Sequence, residues 1–404
     1  MKAAGRYSEK IRFLAVLGIL LAVLAGCRNP DARKTEEEAA DRAEEERQKA
    51  QVEREDTMEE ILKVCRAYPQ PEGNDARRDQ DTMKEILSRL GEAGYAAVDS
   101  ENQIDMTCHE QILSFCEKAG QEEEAQATVA EISWTGECVI WNFQACGGEL
   151  DVNRQYCSYE NGKLEKTWEG NYRAQEWKYT EEGYFMFSGA CFSEDMYRLA
   201  VSDSEEYGAF RVLPLDEQCR RLRQIYLDPV GFVRNNLFLT DWSEEDFGSL
   251  NFYDVYDLFY EQVNGTENPY SMAADLGEEA VYQIPEEEFE RVIMKYFAID
   301  RTVLREKTVY HPETSSYEYR PRGFDETEYP EYPYSEVVGF TENGDGTITM
   351  DAQVVFPYAC DSKVYAHKMT VRPGKDGTVQ YVANQVVPAE DNGEAVWHTP
   401  RKGS

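Results

Sequence analysis

The chain has 404 residues, 42 of them Lys or Arg and 78 Asp or Glu, for a formal net charge of −36 at pH 7. A surface this acidic is repelled by nucleic acid and by anionic lipid headgroups, so neither is an expected partner. Four histidines and ten cysteines, with no Cys-x-x-Cys pair and no zinc-type Cys/His spacing, point to no metal site and no cofactor.

Lys2, Arg6, Lys10 and Arg12 run into an uncharged apolar stretch at residues 13–25. This is the layout of a secretion signal. The stretch is cut short by Cys27, Arg28, Asn29 and Pro30, whereas a membrane span needs ~20 apolar residues. Its end, Leu24-Ala25-Gly26-Cys27, resembles the lipobox of bacterial lipoproteins. The resemblance implies that residues 1–26 are removed and that Cys27 carries the lipid, holding the chain on the extracytoplasmic face of the cell membrane. Two or three acyl chains at ~0.8 kcal/mol per buried methylene hold firmly. Loss of residues 1–26 leaves 38 basic against 77 acidic residues, a net charge of −39. Nine cysteines then remain besides Cys27, an odd number, so at least one thiol stays free and the connectivity of any disulfide is open.

Residues 27–75 read as a charged stalk. Glu, Lys, Arg, Ala and Gln dominate until Met58, Ile61 and Leu62, and opposite charges recur near i,i+4 spacing, as in a solvated or coiled-coil-like helix. A first domain is expected over 76–265. Two amphipathic helices, at 81–90 and 107–118, lead into period-two strands at 127–133, 138–145, 150–158, 163–168, 173–179 and 184–192, an antiparallel meander. A helix at 215–225, a strand at 235–241 and an aromatic-rich helix at 252–263 complete it. A smaller domain is expected over 276–388. Its first helix has Pro285 in the opening turn, Glu286, Glu287 and Glu288 at the positive end of the dipole, and an apolar stripe of Phe289, Val292, Ile293, Tyr296 and Phe297. A short helix capped by Asp300 follows, then four strands at 335–341, 347–356, 363–372 and 378–386. Residues 389–404 read as a disordered tail. The fold class is therefore α+β: an antiparallel meander with flanking helices, followed by a smaller helix-plus-antiparallel-sheet domain.

Three stretches carry a further likeness: Phe210-Arg211-Val212-Leu213-Pro214-Leu215; Asn235-Asn236-Leu237-Phe238-Leu239 with Asp241-Trp242; and Ile284-Pro285-Glu286-Glu287-Glu288-Phe289 running to Tyr296-Phe297 and Leu304-Arg305. Together they resemble a family of uncharacterised lipoproteins from Gram-positive anaerobic bacteria, over roughly residues 127–386. The resemblance supports the anchor and the layout and implies no activity.

Catalytic motifs are not evident. His109, His311, His367 and His398 are scattered, and there is no nucleophile elbow, phosphate loop or dinucleotide fingerprint. Asn343-Gly344-Asp345-Gly346 imitates part of a calcium loop, but Ala352 stands where the bidentate Glu belongs, so a hairpin turn is the expected reading. The most unusual stretch gathers Tyr310, Tyr317, Tyr319, Tyr329, Tyr332 and Tyr334 beside four prolines. Such a segment serves either as a contact surface for a glycan or protein ligand or as a long connection whose rings pack on the sheet. The expectation is a membrane-anchored, non-enzymatic protein that binds a ligand or partner. The alternatives are a glycan or cell-wall hydrolase with paired carboxylates and a structural envelope component.

Overall fold

The computed structural model describes residues 30–73, 76–191, 205–270, 280–322, 331–375, 377–387 and 395–401. Residues 1–26 and Cys27 lie outside them. The chain divides into two units, residues 1–63 and 64–404. The charged segment of the first is helical, within α1 (Pro30–Cys65). Lys49 faces Glu53 at 3.8 Å and Gln51 donates to Glu55 at 3.4 Å, the i,i+4 neighbours the sequence pattern implies. Among the described residues no helix is long and apolar enough to cross a membrane.

In the second unit, α2 (Gln80–Glu92) starts where the Asp79 carboxylate accepts the Thr82 N–H at 2.9 Å, and it buries Met83, Ile86, Leu87 and Leu90. α3 (His109–Gly120) buries Ile112, Phe115, Cys116 and Ala119. Seven strands form one sheet in chain order: β1 (Ala96–Asp99), β2 (Ala125–Ile132), β3 (Cys138–Cys146), β4 (Glu149–Glu160), β5 (Lys163–Tyr179), β6 (Tyr184–Ala190) and β7 (Glu205–Arg211). β1 pairs parallel with β2 and the rest is the antiparallel meander read from the period-two pattern. The two strands expected at 163–168 and 173–179 are one strand of 17 residues. Gly170 does not turn the chain: it stays in the ladder opposite Arg154, and register shifts at Tyr156/Cys157 and Ala174/Glu176 absorb the bend. The inward face is aromatic. Phe143 lies 5.0 Å from both Phe185 and Phe187, and Trp141 is 5.2 Å from Phe187.

A short helix, α4 (Glu217–Leu222), continues into a π turn, and a different core begins there. Residues 235–241, expected as a strand, are turns that precede the two-residue β8 (Trp242–Ser243). The cause is Asn235: its buried amide donates to the Val233 carbonyl at 3.2 Å and accepts the Leu237 N–H at 3.1 Å, curling the backbone. α5 (Phe252–Asn264), grouped by the sequence with the first domain, packs in the second core. Phe259 stacks on Tyr296 at 3.9 Å and Tyr256 on Phe289 at 4.8 Å, both partners lying on α6 (Glu286–Tyr296). α7 (Arg301–Glu306) follows, capped by Asp300 as expected. β9 (Tyr282–Pro285), β10 (Tyr310–His311) and β11 (Ser316–Tyr319) make a small sheet in the order β10-β11-β9. The closing sheet runs β12 (Tyr334–Glu342), β13 (Ile348–Phe356), β14 (Asp361–Pro373), β15 (Val379–Val386), with β8 added at the edge. The protein is therefore α+β, a large curled, mostly antiparallel sheet with flanking helices followed by helices on smaller antiparallel sheets.

Residues 395–401, read from the sequence as part of a disordered tail, dock on the protein. Within residues 395–401, Trp397 is 3% exposed and Arg401 Nε lies 2.8 Å from Asp254 Oδ1 on α5. The sequence offers one aromatic and one cation here, too little periodicity to announce docking.

Candidate functional site

Among the described residues the tyrosine-rich segment is partly interior. Tyr317 and Tyr319 are fully buried in β11, donating to Glu290 at 3.0 Å and to Asp257 at 2.7 Å, so the reading of them as ligand contacts gives way to a core role. Tyr310 is half-buried, donates to Glu286 at 2.6 Å and lies under the Arg305 guanidinium at 4.2 Å. Tyr334 donates to the Tyr184 hydroxyl at 3.1 Å, and Tyr332 is half-buried against the second core. Tyr329 lies outside the described residues. The alternation Ser316-Tyr317-Glu318-Tyr319 is a strand pattern, and strand pairing with β9 turns both rings inward.

A cavity opens instead at the end of the β2–β3 hairpin. Its volume is about 240 Å³ and its walls are Ser100, Glu131, Ser133, Thr135, Glu137, Val139 and Tyr156. The ladder dictates the floor: Glu131 pairs with Val139 and Val139 with Tyr156, one row on one face of the sheet. The hairpin turn supplies the rim. Gly136 sits at φ +105°, where a Cβ would come 3.1 Å from Pro71 Cδ and 3.2 Å from Tyr159 Cε2, so the turn needs glycine. Ser133 and Thr135 share a hydroxyl hydrogen bond of 2.6 Å, and the Thr135 hydroxyl donates to Glu137. Asp99 holds the opposite wall: its buried carboxylate accepts the Trp134 indole N–H at 3.0 Å and the N–H groups of Glu101, Gln103 and Ile104 at 3.0, 3.0 and 2.8 Å.

Glu131 is the unusual group. It occupies an inward-facing strand position in the series Val129, Glu131, where an apolar residue is expected. Burial pushes its carboxyl pKa up, against the Trp141 hydrogen bond and the Arg154 charge, which lower it. Trp141 Nε1 donates to Oε2 at 2.7 Å; among the described residues Oε1 has no hydrogen-bond partner. Arg154 lies behind the floor, with its guanidinium 5.0 Å from the Trp141 ring, 6.0 Å from Tyr156 and 5.8 Å from Trp168, and is ion-paired with Glu206. Trp168, opposite Tyr156 in the ladder and half-buried, lies across Gly170, where a Cβ would stand 2.2 Å from its Cη2. The glycine lets the indole lie against its own strand, next to Tyr156 in the ladder.

The cavity thus combines carboxyl and hydroxyl groups with one aromatic ring, that of Tyr156, and none of the residues lining it is Lys or Arg. Such a set hydrogen-bonds hydroxyl and amide groups and disfavours anions. Sequence reasoning missed it, although two charged residues at inward positions of the strands that flank β3, Glu131 on β2 and Arg154 on β4, were the available signal.

A second constellation lies in the other core. Ser335 Oγ is 2.9 Å from His367 Nε2, and His367 Nδ1 is 2.8 Å from Asn384 Oδ1. The Asn384 amide donates to the Phe238 and Thr240 carbonyls, which points its oxygen at the imidazole and puts the ring proton on Nδ1. The order is that of nucleophile, base and orienting group. All three side chains are buried, His367 completely, so the relay serves packing. Burial lowers the His367 pKa to about 4, keeping the ring neutral. Among the described residues no group of three or more His, Cys, Asp or Glu is placed to hold a metal ion.

An α+β protein with a small polar cavity is the class that the fold and site define among the described residues. A family model described as "Family of unknown function (DUF6070)" matches residues 47–401, and the chain belongs to that family. No curated protein and no solved structure matches it.

Proposed function

We propose that the protein is an extracytoplasmic lipoprotein of Gram-positive anaerobes, anchored through Cys27, which binds a saccharide in the Glu131 cavity without turning it over. The observation that carries the ligand reading is the cavity floor: a carboxyl oxygen without a partner, ringed by the hydroxyls of Ser100, Ser133, Thr135 and Tyr156. Trp168, the ladder partner of Tyr156, offers a flat apolar face of the kind that packs on sugar rings. At about 240 Å³ the cavity is smaller than the ~300–1,000 Å³ of drug-sized sites, which suits one sugar unit of a longer chain. The net charge of −36 favours neutral or amino sugars over anionic ones.

Two carboxyl groups on one cavity, one with a raised pKa, favour the alternative of a glycan hydrolase. Against it, Glu131 is tied to Trp141 and Glu137 to Thr135. A glycan array followed by analysis of the retained ligands separates the readings: intact retained glycan supports binding, and cleaved product refutes it. The anchor is tested by Cys27→Ala and cell fractionation. The variant is expected to leave the membrane fraction; a processed variant that stays there refutes the assignment.

A further inference from the structure

The Glu131 cavity is lined by two carboxylates and no cation. Glu131 pairs with Val139, and the Ser133 N–H donates to the Glu137 carbonyl at 2.9 Å. Glu131 and Glu137 are therefore diagonal neighbours on one face of the hairpin, about 7–8 Å apart. Each has one oxygen engaged, by the Trp141 indole and the Thr135 hydroxyl respectively, and among the described residues the other oxygen has no hydrogen-bond partner. The cation behind the floor, Arg154, is already ion-paired with Glu206. The rim hydroxyls have used their protons too. Thr135 gives its own to Glu137, so in the 2.6 Å contact with Ser133 it accepts, and Ser133 is the donor. The side chains on the hairpin side of the cavity thus present only acceptors, the two open carboxylate oxygens and the Ser133 oxygen, and nothing in the lining balances their charge.

We propose that the sugar unit this cavity takes carries a free amine, bound as the ammonium ion between Glu131 and Glu137; the inference rests on the saccharide reading of the cavity. An ammonium ion donates three hydrogen bonds and accepts none, which matches a wall of acceptors. With N–O distances of about 2.8 Å on either side, it also spans a diagonal carboxylate pair. A hydroxyl in the same place brings one proton to two carboxylates. An acetamide brings a carbonyl oxygen that finds no donor side chain on the hairpin side and faces negative charge instead. The ammonium ion is the one substituent of the three that satisfies both open oxygens and neutralises part of their charge.

Three tetrasaccharides with the same β-linked pyranose backbone isolate the group on the second ring carbon: cellotetraose carries a hydroxyl, chitotetraose an acetamide, and fully deacetylated chitotetraose an amine. In calorimetric titrations of the full chain at about 0.15 M salt and mildly acidic pH, the amine form is expected to bind about tenfold or more tighter than the other two. The preference should persist at about 0.5 M salt, where attraction to the acidic surface is screened, and fall below about threefold in Glu131→Gln and in Glu137→Gln. Equal binding of the three, a preference lost in high salt, or one that survives both substitutions overturns this inference alone. Binding of none of them, with a glycan array that retains other sugars, does the same; an array that retains nothing removes the saccharide reading with it. If neither variant folds, the salt series on the wild type decides.

Discussion

Arg211 Nη1 lies 2.8 Å from Glu336 Oε2, and this buried pair joins the end of β7 to β12, one sheet to the other. Tyr184 donates to the second carboxylate oxygen at 2.6 Å, and Arg211 donates also to the Glu182 carbonyl at 2.9 Å. Glu336 is 1% exposed, so removing its cation strands a charge in the protein interior. Arg211→Met should therefore destabilise the protein by about 3–5 kcal/mol in urea unfolding, and Arg211→Met with Glu336→Leu by less than the single change. A double variant weaker than the single one would contradict this view of the interface.

His367 makes stability depend on pH. Its folded pKa, about 4, is below the ordinary 6.5, so the unfolded chain binds the proton more tightly and stability falls as pH drops from about 6.5 to 4. The full loss is about 3 kcal/mol, at 1.36 kcal/mol per pKa unit. Glu131, Glu206 and Asp257, whose pKa values burial raises, act in the opposite direction, but they are common to wild type and His367→Gln. Thermal midpoints of the two proteins from pH 8 to 4 should diverge below pH 6.5, with the wild type losing more. Parallel curves would contradict a neutral, buried imidazole.

Arg401 holds the C-terminal segment to α5 through Asp254 and Asp257, and Arg322 Nη2 makes a second contact with Asp254 at 2.9 Å. Arg401→Ala leaves the 2%-exposed Asp254 with one cation in place of two. A loss of about 3 kcal/mol is expected in urea unfolding. An unchanged midpoint would show that residues 395–401 add nothing to the fold.

Tyr317→Ala, inside the tyrosine-rich segment, should cost about 3–5 kcal/mol of stability through a cavity beside Phe289, on which the ring stacks at 4.4 Å. Glycan affinity of the folded variant should be unchanged. A loss of affinity would return the segment to the ligand site.

The sequence made the elements legible wherever periodicity was strong: the stripe of α6, the Asp300 cap and the four closing strands all appear where the pattern put them. It misled where local chemistry overrode period. Gly170 looks like a turn residue and instead makes room for an indole; Asn235 sits in an apolar run and curls it. The site was less legible than the fold, because it depends on register. Nothing local says that Glu131, Val139 and Tyr156 form one row until the hairpin is paired, and clustered tyrosines draw attention whether they face a ligand or a core.

The central claim is that the Glu131 cavity binds a saccharide, and isothermal titration of a glycan-array hit tests it most directly. Glu131→Gln keeps an acceptor for Trp141 while removing the carboxylate, and Trp168→Ala removes the flat face. In variants with near-wild-type thermal midpoints, each change should weaken binding about tenfold or more, the scale of one charge-assisted hydrogen bond or one aromatic contact. The account is contradicted if the array retains no glycan, or if both folded variants bind the hit as tightly as the wild type does.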